Sequence, residues 1–450
     1  MTARRADDRS HGRRWWQTGL VIAWVCYSVA HLGYSIWRYN VFVNRPSGIF
    51  AEAMNYARPD GGLDVALMRI DGRDNPLYPP LFFALFRPLA RLGVTPVTNV
   101  YYFLQFPLFA WALFLLVQAV RTEPAPAAPL YLLAGTLAIN FQPFLETIAE
   151  HKIEGIEFVL ICWALYLFKR RRDIWTGVIV TVATNLKYLP GILAIYFLLQ
   201  RQRRVILAVL GSLAVYLAGV LLILGPEVTR FYVIEHPLQL LTLHQHQGTG
   251  IDGSIQRQTL GGTVYKWFSQ VQGSNTFEQQ LRIGTFAVSR PRLAHALAQG
   301  LKVLVFGWYV WFIRRRRWTA AQRAARWPLI LYELSLTLLM IFVVAQAALV
   351  HYAILLLPAF VLTGLLLYQH WRQFHWPEKA LFVAAYSLTG WLIPGGVLDR
   401  LPSSPIWGRA YANLYLWLSL PFYGFVLLGV CIVLCYRRVL QTSHSSPVRA

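Results

Sequence analysis

Residues 71–81 read Asp-Gly-Arg-Asp-Asn-Pro-Leu-Tyr-Pro-Pro-Leu, two acids and a phenol ahead of an apolar stretch. Pro79 and Pro80 pre-set the backbone and cannot donate a helical hydrogen bond, so they mark a helix start and hold Asp71, Asp74 and Tyr78 at a fixed height before it. Carboxylates so placed are either a general base offered at a surface or plain solvated acids. Glu150, Glu154 and Glu157 recur at helical spacing, interleaved with His151 and Lys152, and would turn one face toward sugar hydroxyls or toward water. Lys187 is the single charge of an apolar segment, where a cation is expected to be functional or paired, either with a phosphate or with Glu157. His351 separates two apolar runs and could relay a proton, orient a carboxylate or simply sit at an interface. Should Lys187 prove structural, Lys152 or Arg257 is the next cation for a phosphate. Gln258 follows Arg257 in a long polar stretch. His244 and His246 are spaced like a metal-ligand pair but lack a third ligand at a diagnostic spacing, so no metal or other cofactor is expected. No Asp-X-Asp, Walker or Gly-X-Gly-X-X-Gly motif occurs, which argues against a nucleotide substrate.

The elements that must position these residues are membrane helices. The 450 residues are 56% apolar and only 14% charged, well below the roughly 25% charged share of soluble domains. Residues 205–225, 328–350, 352–368 and 414–436 are nearly uncharged runs of about 17–23 residues, enough to cross a hydrocarbon core of roughly 30 Å. The net charge of +22 does not imply nucleic acid as a partner, because the basic residues fall in short clusters between the apolar runs. Arg4 to Arg14, Lys169 to Arg172, Arg201 to Arg204, Arg314 to Arg317 and Arg437 to Arg438 form a positive-inside pattern that puts both termini in the cytoplasm. The four cysteines fall inside predicted spans, without a disulfide framework.

The expected chain is an all-α polytopic membrane protein of about 11–13 membrane segments. Residues 1–15 form a cytoplasmic basic tail, 16–436 a single transmembrane domain and 437–450 a cytoplasmic tail. The first span, near 16–37, reads as a retained anchor. External loops cover 38–97 and 226–291, and most of the acids lie in or beside them. Further spans are expected near 98–120, 129–144, 155–168, 205–225, 293–313, 328–350, 352–368, 380–394 and 414–436. Residues 174–199 have basic clusters at both ends and Lys187 in the middle. Each half is too short to cross comfortably, so a hairpin of two short helices is expected, its tip in the outer half of the bilayer.

Four motifs then carry a resemblance, in order along the chain. Tyr78-Pro-Pro-Leu81, Lys187-Tyr-Leu-Pro190 followed by Leu198-Leu-Gln-Arg-Gln-Arg-Arg204, Gln258-Thr-Leu-Gly261 and His351-Tyr-Ala-Ile-Leu-Leu-Leu-Pro358 together resemble glycosyltransferase family 87. The resemblance covers roughly residues 16–368 and implies a GT-C-type bundle related to bacterial polyprenol-phosphate-mannose-dependent mannosyltransferases. It implies transfer of a hexose, with mannose the expected sugar, from a polyprenyl-phosphate donor to a glycan or glycolipid acceptor outside a bacterial inner membrane, with inversion and without a metal. Asp74, Asp71, Glu52 and His351 are then the catalytic candidates, and Tyr78, Lys187, Lys152, Glu154, Arg257 and Gln258 the substrate-binding ones. Lys187 is the expected counter-charge for the donor phosphate, and its replacement by Met is expected to leave folding intact.

One departure stands out. The family's Asp-Phe pair after the first span is the expected base, whereas this chain reads Arg45-Pro-Ser-Gly-Ile-Phe50-Ala-Glu52 there. Glu52 or one of Asp60, Asp64, Asp71 and Asp74 takes that role, or the protein is inactive or altered in chemistry. A transporter or flippase for a lipid-linked glycan would also need an intramembrane cation and a polar site. Such proteins often show two related halves, and none is visible here.

Overall fold

The computed structural model describes residues 21–34, 36, 49–54, 78–121, 127–235, 259–268, 291–319, 321–345, 350–390 and 419–445, and among them every regular element is helical. In chain order these are α1 (Val21–Tyr34), α2 (Ile49–Ala53), α3 (Pro80–Ala90), α4 (Val94–Val120), α5 (Ala128–Ile139), α6 (Gln142–Ala149), α7 (Glu154–Lys169), α8 (Asp173–Leu186), α9 (Ile192–Leu199), α10 (Arg203–Arg230), α11 (Leu260–Phe268), α12 (Pro291–Arg314), α13 (Trp327–Val344), α14 (Leu357–Gln369), α15 (Trp376–Gly390) and α16 (Leu420–Ser445). Six of the described helices are long and apolar enough to cross a membrane, or seven with the bent pair α5–α6. The protein is a multi-pass membrane protein.

Two classes of apolar helix are distinguished by what covers them. In α13 and the α14 segment, 83% and 89% of the apolar window is buried in protein, whereas α10 buries 6%. A helix that is apolar all round needs either protein or lipid against every face. Hence α13 and α14 form the middle of the bundle, and α10 turns Val215, Leu222 and Ile223 outward to lipid.

Two expected spans are corrected. Residues 129–144 do not form one span: α5 and α6 meet at 67°. Pro143 falls where a straight helix would need an N–H to bond Ile139, and Phe141 is extended. The buried break is tied to α1, where the Asn140 amide donates to Ser28 Oγ at 2.7 Å and its oxygen lies 3.2 Å from His31 Nδ1. The span expected to reach residue 350 ends at Val344, because Ala345 leaves helical geometry.

The hairpin expected at residues 174–199 forms as α8 and α9, joined by a 3-10 turn at Leu189–Gly191. Its two flanks share one end of the bundle, since Arg323 bonds Asp173 at 2.6 and 3.1 Å and Gln202 Oε1 at 3.3 Å. The Arg314 to Arg317 cluster joins them, and Arg316 lies 4.5 Å over the Tyr436 ring beside Arg437. The basic clusters among the described residues thus gather at one end, while Lys187 reaches the other, beside the start of α7.

Close approach of α8 to α10 depends on Gly177. A Cβ there would stand 2.6 Å from both Val205 O and Ala208 Cβ. Gly177→Ala is expected to destabilise the folded protein by about 1–3 kcal/mol through overpacking. Gly219 on α10 has open space around it, so Gly219→Ala should be neutral or slightly stabilising. Thermal unfolding of the two variants in one detergent checks this; equal behaviour would mean that the α8–α10 contact is loose.

Candidate active site

At the end opposite the basic clusters, a short turn does most of the positioning. After α6, the His151 N–H bonds Ile148 O at 3.4 Å and the Lys152 N–H bonds Thr147 O at 3.2 Å, with His151 at φ 52°. This is a Schellman-type helix end, in which a left-handed residue lets the chain reverse into the next helix. It sets Glu150 and Lys152 on one side of the turn and starts α7 at Glu154. Glu150 therefore lies before the helix, so the expected common face holds Glu154 and Glu157 alone. Both stand in the first turn of α7, where the helix dipole favours negative charge.

The same turn anchors α2. Ile49 N–H bonds the His151 carbonyl at 3.1 Å, and Arg87 Nε bonds the Ala53 carbonyl at 3.2 Å. Phe50 is buried edge-on against Phe86 and Tyr101. A five-residue helix has little stability of its own; these contacts at both ends hold it and fix Glu52.

Glu52 is the centre of the open part of the cluster. Tyr78 Oη donates to its Oε2 at 2.5 Å and the Lys152 ammonium lies 2.9 Å from its Oε1. Tyr78 is itself held by Pro79 and Pro80 at the start of α3 and by stacking on Phe82 at 4.1 Å. Burial pushes the Tyr78 phenol well above its ordinary range, so it remains a donor. Burial alone would lower the Lys152 ammonium, but the Glu52 carboxylate beside it outweighs this and raises it. Burial also raises the Glu150 carboxyl, opposed by Lys152 at 3.9 Å.

Behind this lies a closed layer. Lys187, 4% exposed, pairs with the fully buried Glu154. Its ammonium also sits 3.9 Å over the Tyr352 ring and 5.1 Å from that of Tyr78. His351 bridges the layers, with Nε2 3.7 Å from Glu154 Oε1 and Nδ1 4.0 Å from Glu150 Oε2. Its carbonyl accepts from Thr147 Oγ1 at 3.4 Å, joining the 3-10 turn Val350–Leu356 to α6. The Glu157 carboxylate is buried beside this group, and neither oxygen has a hydrogen-bond partner.

The structure therefore brings together Glu52, Tyr78, Lys152, Glu154, Lys187 and His351 from five separate segments. Asp71, Asp74, Arg257 and Gln258 lie outside the described residues, as do Asp60, Asp64, His244 and His246. Lys187 takes Glu154 rather than Glu157 as its partner, because the start of α7 faces the α8 terminus one turn earlier. Sequence reasoning missed Tyr352 as the ring beneath the ammonium, although it directly follows His351. It also missed Glu333, the one acid within α13. Glu333 accepts from Tyr196 at 2.9 Å, Gln200 at 3.0 Å, Trp318 at 3.4 Å and Tyr436 at 3.1 Å. Those neutral donors tie α9, α13 and α16 together near the basic end.

Neither a curated protein nor a solved structure matches the chain. Residues 77–273 match the family model of glycosyltransferase family 87. The matched stretch takes in Tyr78, Lys152, Glu154 and Lys187, and leaves Glu52 and His351 outside it. Over residues 77–273, a little under half of its length, this multi-pass membrane protein is thus similar to glycosyltransferase family 87.

Proposed function

We propose that the protein is a membrane glycosyltransferase that moves a hexose, with mannose the first candidate, from a polyprenyl-phosphate donor to a hydroxyl of an external glycan or glycolipid. The observation that carries this reading is Glu52, a carboxylate 25% exposed and gripped by a phenol and an ammonium, in a chain whose central stretch matches a glycosyltransferase family. Each Glu52 oxygen keeps a lone pair free for an incoming hydroxyl.

In this mechanism Glu52 takes the acceptor proton as the acceptor oxygen bonds the sugar C1, and the bond from C1 to the phosphate oxygen breaks with its electron pair leaving on phosphate. Attack from the face opposite the leaving group inverts C1. The leaving phosphate is stabilised by Lys152, the lysine of the cluster that is 19% exposed. Lys187 is enclosed by Glu154, Tyr352 and Tyr78, so its role is to balance Glu154 and fix the inner wall. His351 holds Glu150 and Glu154 in register. Under the positive-inside rule the basic end is cytoplasmic and the Glu52 cluster external, which suits a bacterial inner membrane. Asp71 and Asp74 remain candidates for contact with the acceptor, and Arg257 and Gln258 for contact with the donor.

The test is incubation of the purified protein in liposomes with radiolabelled polyprenyl-phosphate mannose and cell-envelope acceptors. Labelled acceptor is the expected product. Movement of the lipid across the bilayer without product would replace this reading with a transporter, and neither outcome with a folded protein would mark an inactive member.

A further inference from the structure

The basic end of the bundle holds a feature that the transfer reaction does not use. A cavity of about 560 Å³ opens between the α7–α8 turn, the α9–α10 turn and the chain after α12. Arg201, Arg203, Arg204 and Arg317 line it, with Trp318 and Asp173 in its wall. Asp173 does not neutralise them, because its single negative charge is paired with Arg323. Among the described residues, none of the four lining arginines makes an ion pair. Arg317 instead has the like charges of Arg201 and Arg314 close by, and its Nε is enclosed without a hydrogen-bond partner.

Arg323 is the better-partnered arginine at this end, although its own Nε is also enclosed without a hydrogen-bond partner. It bonds Asp173, Gln202 and the Phe168 carbonyl at 3.1 Å and lies 4.1 Å over the Phe168 ring. The lining arginines have no comparable set of partners. Two of them, Arg203 and Arg204, begin α10, whose N-cap makes no side-chain hydrogen bond. A cation at a helix N-terminus is opposed by the dipole, which favours an anion there. Arg201 is in addition held at φ 54°, where glycine would be less strained. Four cations crowd one cavity, and one of their donors is enclosed and unused. This arrangement is complementary to a compact, multiply accepting anion.

We propose that this cavity binds a phosphate-bearing anion, an anionic lipid headgroup at the membrane surface, as a second ligand site at the far end of α7 from Glu52. Basic pockets between membrane helices are suited to such headgroups, and the volume is in the range of small-ligand sites. Sixteen residues of α7 separate the two sites by about 24 Å, so one phosphate cannot serve both.

The experiment titrates phosphatidylglycerol or phosphatidylcholine into the detergent-purified full chain and follows its unfolding temperature. A parallel arm uses sodium phosphate at ionic strength matched with sodium chloride. Stabilisation by phosphatidylglycerol and not by phosphatidylcholine is expected. Stabilisation by sodium phosphate alone would support the phosphate site while giving its ligand as a free anion. Arg201→Gly relaxes the turn and removes a cation, so it should fold at least as well yet need about tenfold or more phosphatidylglycerol for the same effect; Arg317→Gln should act likewise. Arg170→Gln, at the same end but not lining the cavity, serves as control. An equal loss in Arg170→Gln, or equal stabilisation by both lipids, would overturn the site and leave only diffuse surface charge.

Discussion

Lys187→Met is expected to lower the unfolding free energy by about 3–5 kcal/mol, the cost of stranding a buried carboxylate when its partner is removed. Glu154 is fully buried, its Oε2 has no hydrogen-bond partner, and Glu157 lies beside it without partners of its own. Without the ammonium, none of the four buried carboxylate oxygens of Glu154 and Glu157 would keep a lysine or arginine in contact. Combining Lys187→Met with Glu154→Gln should recover most of the loss, because an apolar or neutral pair is often as stable as the ionic one it replaces. Unfolding of the parent, both single variants and the double variant in one detergent closes the cycle, and a coupling near zero would show that the two side chains do not depend on each other.

Glu52→Gln is expected to reduce transfer by about 10²–10⁴-fold, the usual contribution of a positioned general base, while leaving the fold nearly unchanged. The amide oxygen can still accept from Tyr78, and the lost contact with Lys152 is a partly exposed pair of the kind worth at most about 1 kcal/mol. Glu52→Asp keeps the charge but draws it back from Tyr78, so it should retain more activity than the amide. Parental turnover in a folded Glu52→Gln protein would remove Glu52 as the base and pass the role to Asp71 or Asp74.

Much of this site could be read before any coordinates, and the reasons differ by residue. Lys187 and His351 are conspicuous because a titratable group between apolar runs is rare. Tyr78 is marked by the two prolines after it, and Glu52 stands close to the position where a family aspartate is missing. Partner choice was not legible. Whether Lys187 meets Glu154 or Glu157 depends on where α7 begins, and that is set by the left-handed turn at His151, a residue type with no strong turn signal. Because the pairing was hidden, Lys187→Met looked harmless to folding on sequence; the structure reverses that expectation. The α5–α6 bend was missed for a simpler reason. Hydropathy averages over Pro143, whereas the backbone cannot. Glu333 was overlooked because a single acid barely lowers the mean of a long apolar run, although such an acid must find donors wherever it ends up.

The α8–α9 hairpin also bears on how the chain counts its crossings. Because its flanks meet at Arg323, the segment leaves by the end at which it came in, and it adds nothing to the odd-or-even tally that fixes the sidedness of everything after it. Removing residues 173–199 would leave the sidedness of α10 to α16 unchanged, while taking away the wall that carries Lys187, the Asp173 partner of Arg323 and the Tyr196 donor to Glu333. Orientation and chemistry are therefore separable in this protein: the segment that completes the inner layer of the site could be altered without turning the rest of the molecule over.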